Sequence, residues 1–398
     1  MSRDAGRQAD AVSRRKYLLT SAAIGTAGLA GCSGGDSGNG DGGAGGSSGD
    51  GGAGGDGSDD SGNTIDSGSS GPATVTAEGS STVYPISNKG SSYWNSNSPA
   101  SDGEYWGAND ESSVPGWDQI QTDMNIADYF ASLYGFEPTG ERSNPPFATR
   151  VALSHSGTGC EAVRDGLVDI GNSSGPITAE LDISEEQRDE NYVDHVVGRD
   201  GQPVFVSQAI YDAGVEQLTG EQIRGIYQGE ITNWSEVGGP DQEIFVVGRA
   251  EGSGTDTSFR LNMLGDADAP MEVDTRLGQN QQVQQVLQDN DNAIGYMALA
   301  FSGSGIQAIA IDFEGTVYRP DPDAENTIFD SEYPLNRDLH MYTRITDETP
   351  EGTDMREAAF LNMFLTEFGQ QVFVEDVNYI TLPTSDIEAE REKLPDQA

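Results

Sequence analysis

Positive charge is scarce in this 398-residue chain. Lys and Arg together number 21 against 66 Asp and Glu, which leaves a formal net charge of −45. A surface of that sign repels a polyanion, which excludes nucleic acid as a partner. Residues 1–31 hold Arg3, Arg7, Arg14, Arg15 and Lys16 against Asp4 and Asp10, so the rest is more acidic still. Cysteine is nearly absent. Cys32 and Cys160 are the two, too few for a disulfide framework, and Cys160 reads as a packed helix residue. The three histidines, His155, His195 and His340, lie far apart, with no HExxH or other metal-ligand spacing. His155 beside Ser156 makes no nucleophile pair, because neighbours on a strand point to opposite faces. Long apolar runs are missing too: Thr20 to Ala30 is short and rich in Gly and Ala, a poor membrane span.

The N-terminal stretch reads as an address. Ser13-Arg14-Arg15-Lys16-Tyr17-Leu18-Leu19 has the twin-arginine signal pattern, and Leu29-Ala30-Gly31-Cys32 has the form of a lipoprotein cleavage box. The expectation is a signal over 1–31 and a lipid on Cys32; a cleaved soluble signal or an uncleaved anchor are the alternatives. One lipid chain holds only marginally, so firm attachment needs a second chain or a membrane partner. Residues 32–72 are almost all Gly, Ser, Asp, Asn and Ala and read as a flexible acidic tether. Apolar residues and turn signals run evenly from residue 73 onward, so the body folds despite its charge. An acidic, lysine-poor folded surface suits concentrated salt, where screening shortens to ~3 Å at 1 M. With the export signal, that points to a haloarchaeal cell surface.

Three hydroxyl-rich turns follow three strands. Ile244 to Val247 reads as a strand; Arg249 follows, then the turn Gly252-Ser253-Gly254-Thr255 and a short helix through Phe259. A glycine turn feeding a helix start leaves backbone N–H groups facing outward at the positive end of the helix dipole, a site for an anion. Ser253 and Thr255 add hydroxyls, and Arg249 adds a bidentate guanidinium. No Lys follows the glycines, so this is no nucleotide P-loop. Alone, the stretch is equally compatible with an ordinary capped helix. Val151 to Ser154 followed by Ser156-Gly157-Thr158-Gly159 repeats the chemistry, as does Ala73 to Thr76 followed by Gly79-Ser80-Ser81-Thr82-Val83. Convergence of the three would cage one polar ligand in neutral dipoles.

The body alternates strands and helices, an α/β architecture. Helices are expected from Ile86, over 128–135, over 218–227 with a Thr cap, over 281–288, and as one long helix from Met355 to Phe373. Strands are expected at 168–170, 193–197, 204–210, 293–296 and 339–342. The stretch 91–119, dotted with Tyr93, Trp94, Tyr105, Trp106 and Trp117, reads as a surface insertion pinned by its aromatics, with a ligand-facing lid as the alternative.

Seven pieces in order resemble the phosphate-binding proteins of phosphate ABC importers. They are Gly79 to Ile86, Ser156 to Gly159, Asp169 to Ser174, Ile226 to Trp234, Arg249 to Thr255, Ala293 to Tyr296, and Tyr333 to Arg337. The resemblance implies a two-lobe, type II periplasmic-binding-protein-like α/β fold with a hinge, closing on phosphate in the interlobe cleft. The expected lobes are 73–205 plus 334–398, and 206–333. Carried over, the resemblance puts Thr82, Val83, Ser156, Ser174, Arg249, Ser253, Gly254 and Thr255 on the phosphate, with Ser81, Gly157 and Thr158 beside them. It implies a non-enzymatic monomer without cofactor or metal, working with membrane permease subunits. Two departures stand out. Many relatives carry Asp at position 174, where it accepts the proton of hydrogen phosphate; here it is Ser. Gly175 stands where this branch often carries Arg. A hydroxyl repels sulfate less than a carboxylate does, so a receptor for sulfate or another tetrahedral oxyanion stays open beside the phosphate reading. A secreted phosphohydrolase and an adhesive or sensory surface protein are alternatives of different class.

Overall fold

The computed structural model describes residues 74–99 and 122–398. The signal, Cys32, the tether and most of the 91–119 stretch lie outside them. Two five-stranded sheets organise the described chain. The first has the order β2 (Thr149–Ser154), β1 (Val75–Ser80), β3 (Ile170–Ser173), β13 (Arg337–Arg344), β4 (Tyr192–Asp200). In it β1 runs parallel to β2 and β3, while β13 runs antiparallel to β3 and β4. The second has the order β10 (Ile306–Ala308), β5 (Val204–Ser207), β9 (Ala293–Tyr296), β7 (Phe245–Arg249), β8 (Thr275–Leu277). Its strand β7 is parallel to β8 and β9. A small third sheet joins β6 (Gln217–Thr219), β11 (Ala310–Phe313) and β12 (Thr316–Tyr318).

This is a two-lobe α/β fold, as the sequence suggests. Val204 and Phe205 already belong to the second sheet, so the chain crosses at 201–203, ahead of the expected 205/206 boundary. It returns at 333–336, just before β13.

Helix boundaries follow local chemistry. Thr219 caps the helix Gly220–Tyr227 by accepting the Gln222 N–H at 3.1 Å, and Gln222 closes the capping box at 2.8 Å. Residues 208–210, expected as strand, open the short helix Gln208–Asp212. The stretch from Met355 to Phe373 is not one helix. Helix Met355–Phe364 stops at Leu365, where Thr366 bonds back to the Met363 carbonyl and caps a new turn through the Gly369 N–H. A π-type turn, Gln370–Val374, follows. The aromatic-dotted stretch is corrected as well. Helix Tyr84–Ser96 runs into it, and Trp94 is fully buried against Phe147 and Phe360 with its indole N–H on the Phe147 carbonyl at 2.7 Å. Trp94 is core, not a surface pin. Gly79 has φ +141°, and a Cβ there would lie 2.1 Å from the Asn172 carbonyl oxygen, so only glycine lets β1 and β3 approach this closely.

Glu357 gives a pH-dependent prediction. It is buried in the capping box of helix Met355–Phe364, accepting the Asp354 N–H at 2.7 Å. Burial first, then the Asp354 charge, pushes its carboxyl up to about 8. A raised folded-state pKa favours folding at low pH, and that contribution is lost as pH rises from the unfolded value near 4.5 through about 8. Glu357→Gln keeps an accepting oxygen for the cap. The variant should therefore gain stability relative to the unsubstituted chain at about pH 9 compared with about pH 5. Parallel unfolding midpoints at both values would show that Glu357 is ionised in the folded protein.

Candidate anion-binding site

Strand ends from both sheets meet at one place. Ser81 and Thr82 follow β1, Ser156 follows β2, Ser174 follows β3, and Arg249 ends β7. In open α/β sheets the crevice at the carboxyl ends of parallel strands is where polar ligands bind. All five of these side chains are buried, each 4% exposed or less.

Arg249 is the most unusual of them. Its side chain is fully buried, yet among the described residues no carboxylate pairs with it, whereas Asp256 pairs with Arg260 and Arg276 and Asp200 with Arg337. Its N–H groups go to neutral acceptors: the Leu277 carbonyl at 3.1 Å, the Gly278 carbonyl at 2.7 Å, Asn280 Oδ1 at 2.6 Å and Ser81 Oγ at 3.3 Å. Burial lowers its pKa to about 10, which still leaves a charged guanidinium at neutral pH. A buried, hydrogen-bonded but unneutralised cation is costly unless an anion joins it.

The hydroxyls come from both lobes. Thr82 Oγ1 lies 3.0 Å from Thr255 Oγ1. Ser80 Oγ donates to Ser174 Oγ at 2.9 Å, and Ser156 Oγ accepts the Ser174 N–H at 3.1 Å. Ser253 is the N-terminal flanking residue of helix Gly254–Phe259, and Gly254 packs on Ser156 so tightly that an added Cβ would meet its Oγ at 2.3 Å. Val83 flanks the start of helix Tyr84–Ser96 and is fully buried. Two expected neighbours do not join. Thr158 is exposed, and the Gly157 N–H is taken by the Gly252 carbonyl at 3.1 Å, a backbone bond between lobes.

Several residues in the cluster were not singled out from the sequence. Asn280 donates to Ser81 Oγ at 3.2 Å and Thr82 Oγ1 at 3.3 Å. Gln202, at the first crossing, donates to the Thr255 carbonyl at 2.7 Å. Tyr296 donates to Asp256 at 2.5 Å and accepts the Arg249 N–H at 3.2 Å, bracing the arginine loop. Arg337 reaches both lobes and pairs with Asp200. Its signal was present, since Tyr333 to Arg337 is one of the seven pieces, but nothing in that piece marks its arginine as a partner of Thr82. A cavity of about 710 Å³, lined by Arg199, Asp330, Asp338 and Asp386 among others, meets the cluster only at Arg337. At the cluster itself the lobes meet in direct hydrogen bonds.

Two lobes closing donors from both sides around one point define a substrate-binding protein of the periplasmic type. Residues 120–369 match the PBP superfamily domain. The phosphate-binding protein PstS of Bacillus subtilis is 32% identical over 254 residues, 63% of this chain and 75% of that relative. The protein of the same name from Staphylococcus saprophyticus is 26% identical over 263 residues, 64% of this chain and 78% of that relative. The chain belongs to the PstS family of phosphate-binding proteins. Among solved structures, a Clostridium perfringens chain with bound phosphate superposes with a TM-score of 0.54 at 20% identity, covering 78% of this chain and all of that one. An ABC-type phosphate transport receptor from Vibrio cholerae gives 0.50 at 22%, with 78% and 100% covered. At these identities the structural likeness speaks for the fold alone.

Proposed function

We propose that this chain captures inorganic phosphate outside the cell and delivers it to the permease subunits of an ABC importer. The observation that carries the reading is Arg249, a buried cation with no carboxylate partner among the described residues, ringed by hydroxyls and backbone from both lobes. The relatives named above are binding proteins, which supports a receptor rather than an enzyme. The ligand set is Thr82, Val83, Ser156, Ser174, Arg249, Ser253, Gly254 and Thr255, with Ser81 at its edge. The lobes are 73–205 plus 334–398, and 206–333, with the place of β5 in the second sheet supporting a first limit at 203/204. Among the described residues no helix is long and apolar enough to cross a membrane. Anchoring falls to a lipid on Cys32 after twin-arginine export, with 32–72 as tether and a haloarchaeal surface as the setting. Calorimetric titration of the full chain in multi-molar KCl tests the reading: phosphate should bind at micromolar concentration or tighter. Absence of phosphate heat would refute it.

Ser174 keeps the sulfate reading alive. It places a hydroxyl, not a carboxylate, against Ser80 and Ser156. Ser174→Asp should sharpen discrimination against sulfate by roughly tenfold at neutral pH, because a carboxylate accepts a P–OH proton but repels a fully ionised oxygen. Competition of sulfate against phosphate measures it, and an unchanged ratio would remove Ser174 from the ligand contact.

A further inference from the structure

Arg337 stands at the hinge, and its surroundings bear on how the site reads its ligand. It opens β13 directly after the second crossing, opposite Asp200, which closes β4 directly before the first. Both are buried, and the Arg337 Nε and Nη2 donate to Asp200 Oδ2 at 3.0 and 2.6 Å. Asp200 Oδ1 accepts the N–H groups of Gln202 and Leu299 at 3.3 and 2.8 Å, so the carboxylate is fully engaged. The remaining guanidinium protons reach both lobes. Nη1 donates to the Ser174 and Gly254 carbonyls at 3.3 and 3.2 Å; Nη2 donates to Thr82 Oγ1 at 3.4 Å and Thr255 Oγ1 at 3.2 Å.

A guanidinium has N–H groups only and accepts nothing. Thr82 and Thr255 must therefore accept from it, which turns their own O–H protons elsewhere. Asn280 acts in the same sense. Its Oδ1 accepts from Arg249 Nη1 at 2.6 Å and from the Ala298 N–H at 3.2 Å, which fixes the amide so that Nδ2 donates to Ser81 and Thr82. Hydroxyls are normally free to donate or accept. Here Arg337 and Asn280 occupy both lone pairs of Thr82 Oγ1, which sends its proton to Thr255 Oγ1 at 3.0 Å, and Thr255, accepting from Thr82 and Arg337, keeps its own proton to donate.

We propose that Arg337, held by Asp200, is a positioning residue that commits the Thr82–Thr255 hydroxyl pair to donating, Thr82 to Thr255 and Thr255 to the ligand, so that the site prefers oxyanion oxygens that carry no proton. The inference rests on the phosphate reading. It concerns which protonation state of phosphate binds better. The charged and titratable groups around the Arg337–Asp200 pair are Arg249, Glu180, Tyr333 and Tyr379. Of these Glu180, pushed up to about 7 chiefly by burial, titrates in the working range, so an internal reference is required.

Sulfate provides it, being fully ionised throughout. Phosphate and sulfate are titrated into the unsubstituted chain and Arg337→Lys at about pH 5.5 and about pH 8.5, either side of the second ionisation of a phosphate group. Lys keeps the charge facing Asp200 but cannot hold both hydroxyls. Phosphate affinity, taken relative to sulfate at each pH, should favour high pH in the unsubstituted chain. That preference should shrink by about threefold or more in Arg337→Lys, because freed hydroxyl oxygens can accept a P–OH proton. Asp200→Asn tests the same point from the other side, since it loosens Arg337 without removing it, and it should shrink the preference in the same direction. Equal losses for both anions at both pH values in a folded variant, read by circular dichroism, would mean a merely structural arginine and overturn the proposal. So would unchanged binding. An unsubstituted chain that binds sulfate but no phosphate would refute the phosphate reading instead, and with it the role assigned here.

Discussion

Gly254→Ala should weaken phosphate binding by roughly 100-fold while leaving the chain folded. Gly254 opens helix Gly254–Phe259 in the second lobe and lies against the first. A Cβ built there would sit 2.3 Å from Ser156 Oγ, 2.8 Å from Ser156 Cβ and 2.8 Å from the Gly175 nitrogen. Real Cβ atoms tolerate none of these distances. Ser156 is fully buried, so its side chain cannot swing away without leaving the cluster. The lobes must stay apart by the width of a methyl group. Overpacking of this sort costs about 1–3 kcal/mol, and ~3 kcal/mol is roughly 100-fold in affinity. The cost falls on closure rather than on either lobe's core, because the clash lies between lobes. Thr82–Thr255, Ser258–Ser174 and Gly157–Gly252, the hydrogen bonds that span the cleft, would all lengthen together. Calorimetry at a single pH measures the loss. Affinity within threefold of the unsubstituted chain would mean that the ligand-bound lobes do not close to this contact.

Much of this site is legible in the sequence because its parts are local. A strand, a Gly/Ser/Thr turn and a helix start lie within a dozen residues, and their chemistry does not depend on the rest of the chain. Three such turns in one chain point to one ligand, and Thr82, Ser156 and Thr255 do come together. Asn280, Gln202, Asp200 and Arg337 carry no such local signature. They matter only because Asn280 stands 198 residues from Thr82 in sequence and 3.3 Å from it in space, and Arg337 stands 255 residues from Thr82 at 3.4 Å. Periodicity cannot report a contact of that range. The helix expected from Met355 to Phe373 failed for a related reason. Its apolar spacing is helical throughout, but Thr366 satisfies two backbone groups locally and Gly369 packs with room for no Cβ, 2.0 Å from the Met363 carbonyl oxygen. Trp94 misled through composition. Polar neighbours suggested surface, while a single indole hydrogen bond to Phe147 marks it as core.

Arg249→Lys is expected to reduce phosphate affinity by roughly 10- to 100-fold, and its argument differs from that for Gly254. The guanidinium holds four neutral acceptors at once, on Leu277, Gly278, Asn280 and Ser81, from a planar group with five donors. An ammonium has three donors radiating from one point and cannot reach acceptors spread around that plane. At least one buried acceptor loses its partner, at about 1–3 kcal/mol, which converts to roughly 10- to 100-fold where the loss is felt in the bound state. Charge is nominally conserved, so a site that needed only a positive potential would barely notice the change. Geometry is what the substitution removes. Asn280 would be released too, and with it the amide orientation that directs Nδ2 to Ser81 and Thr82. The effect should therefore persist in multi-molar salt, where a loss of long-range attraction would already have been screened away. Titrations of phosphate at low and high KCl separate the two accounts. A loss that vanishes at high salt would make Arg249 a general attractor of anions, and a loss that stays constant assigns the effect to the shape of the hydrogen-bonded guanidinium.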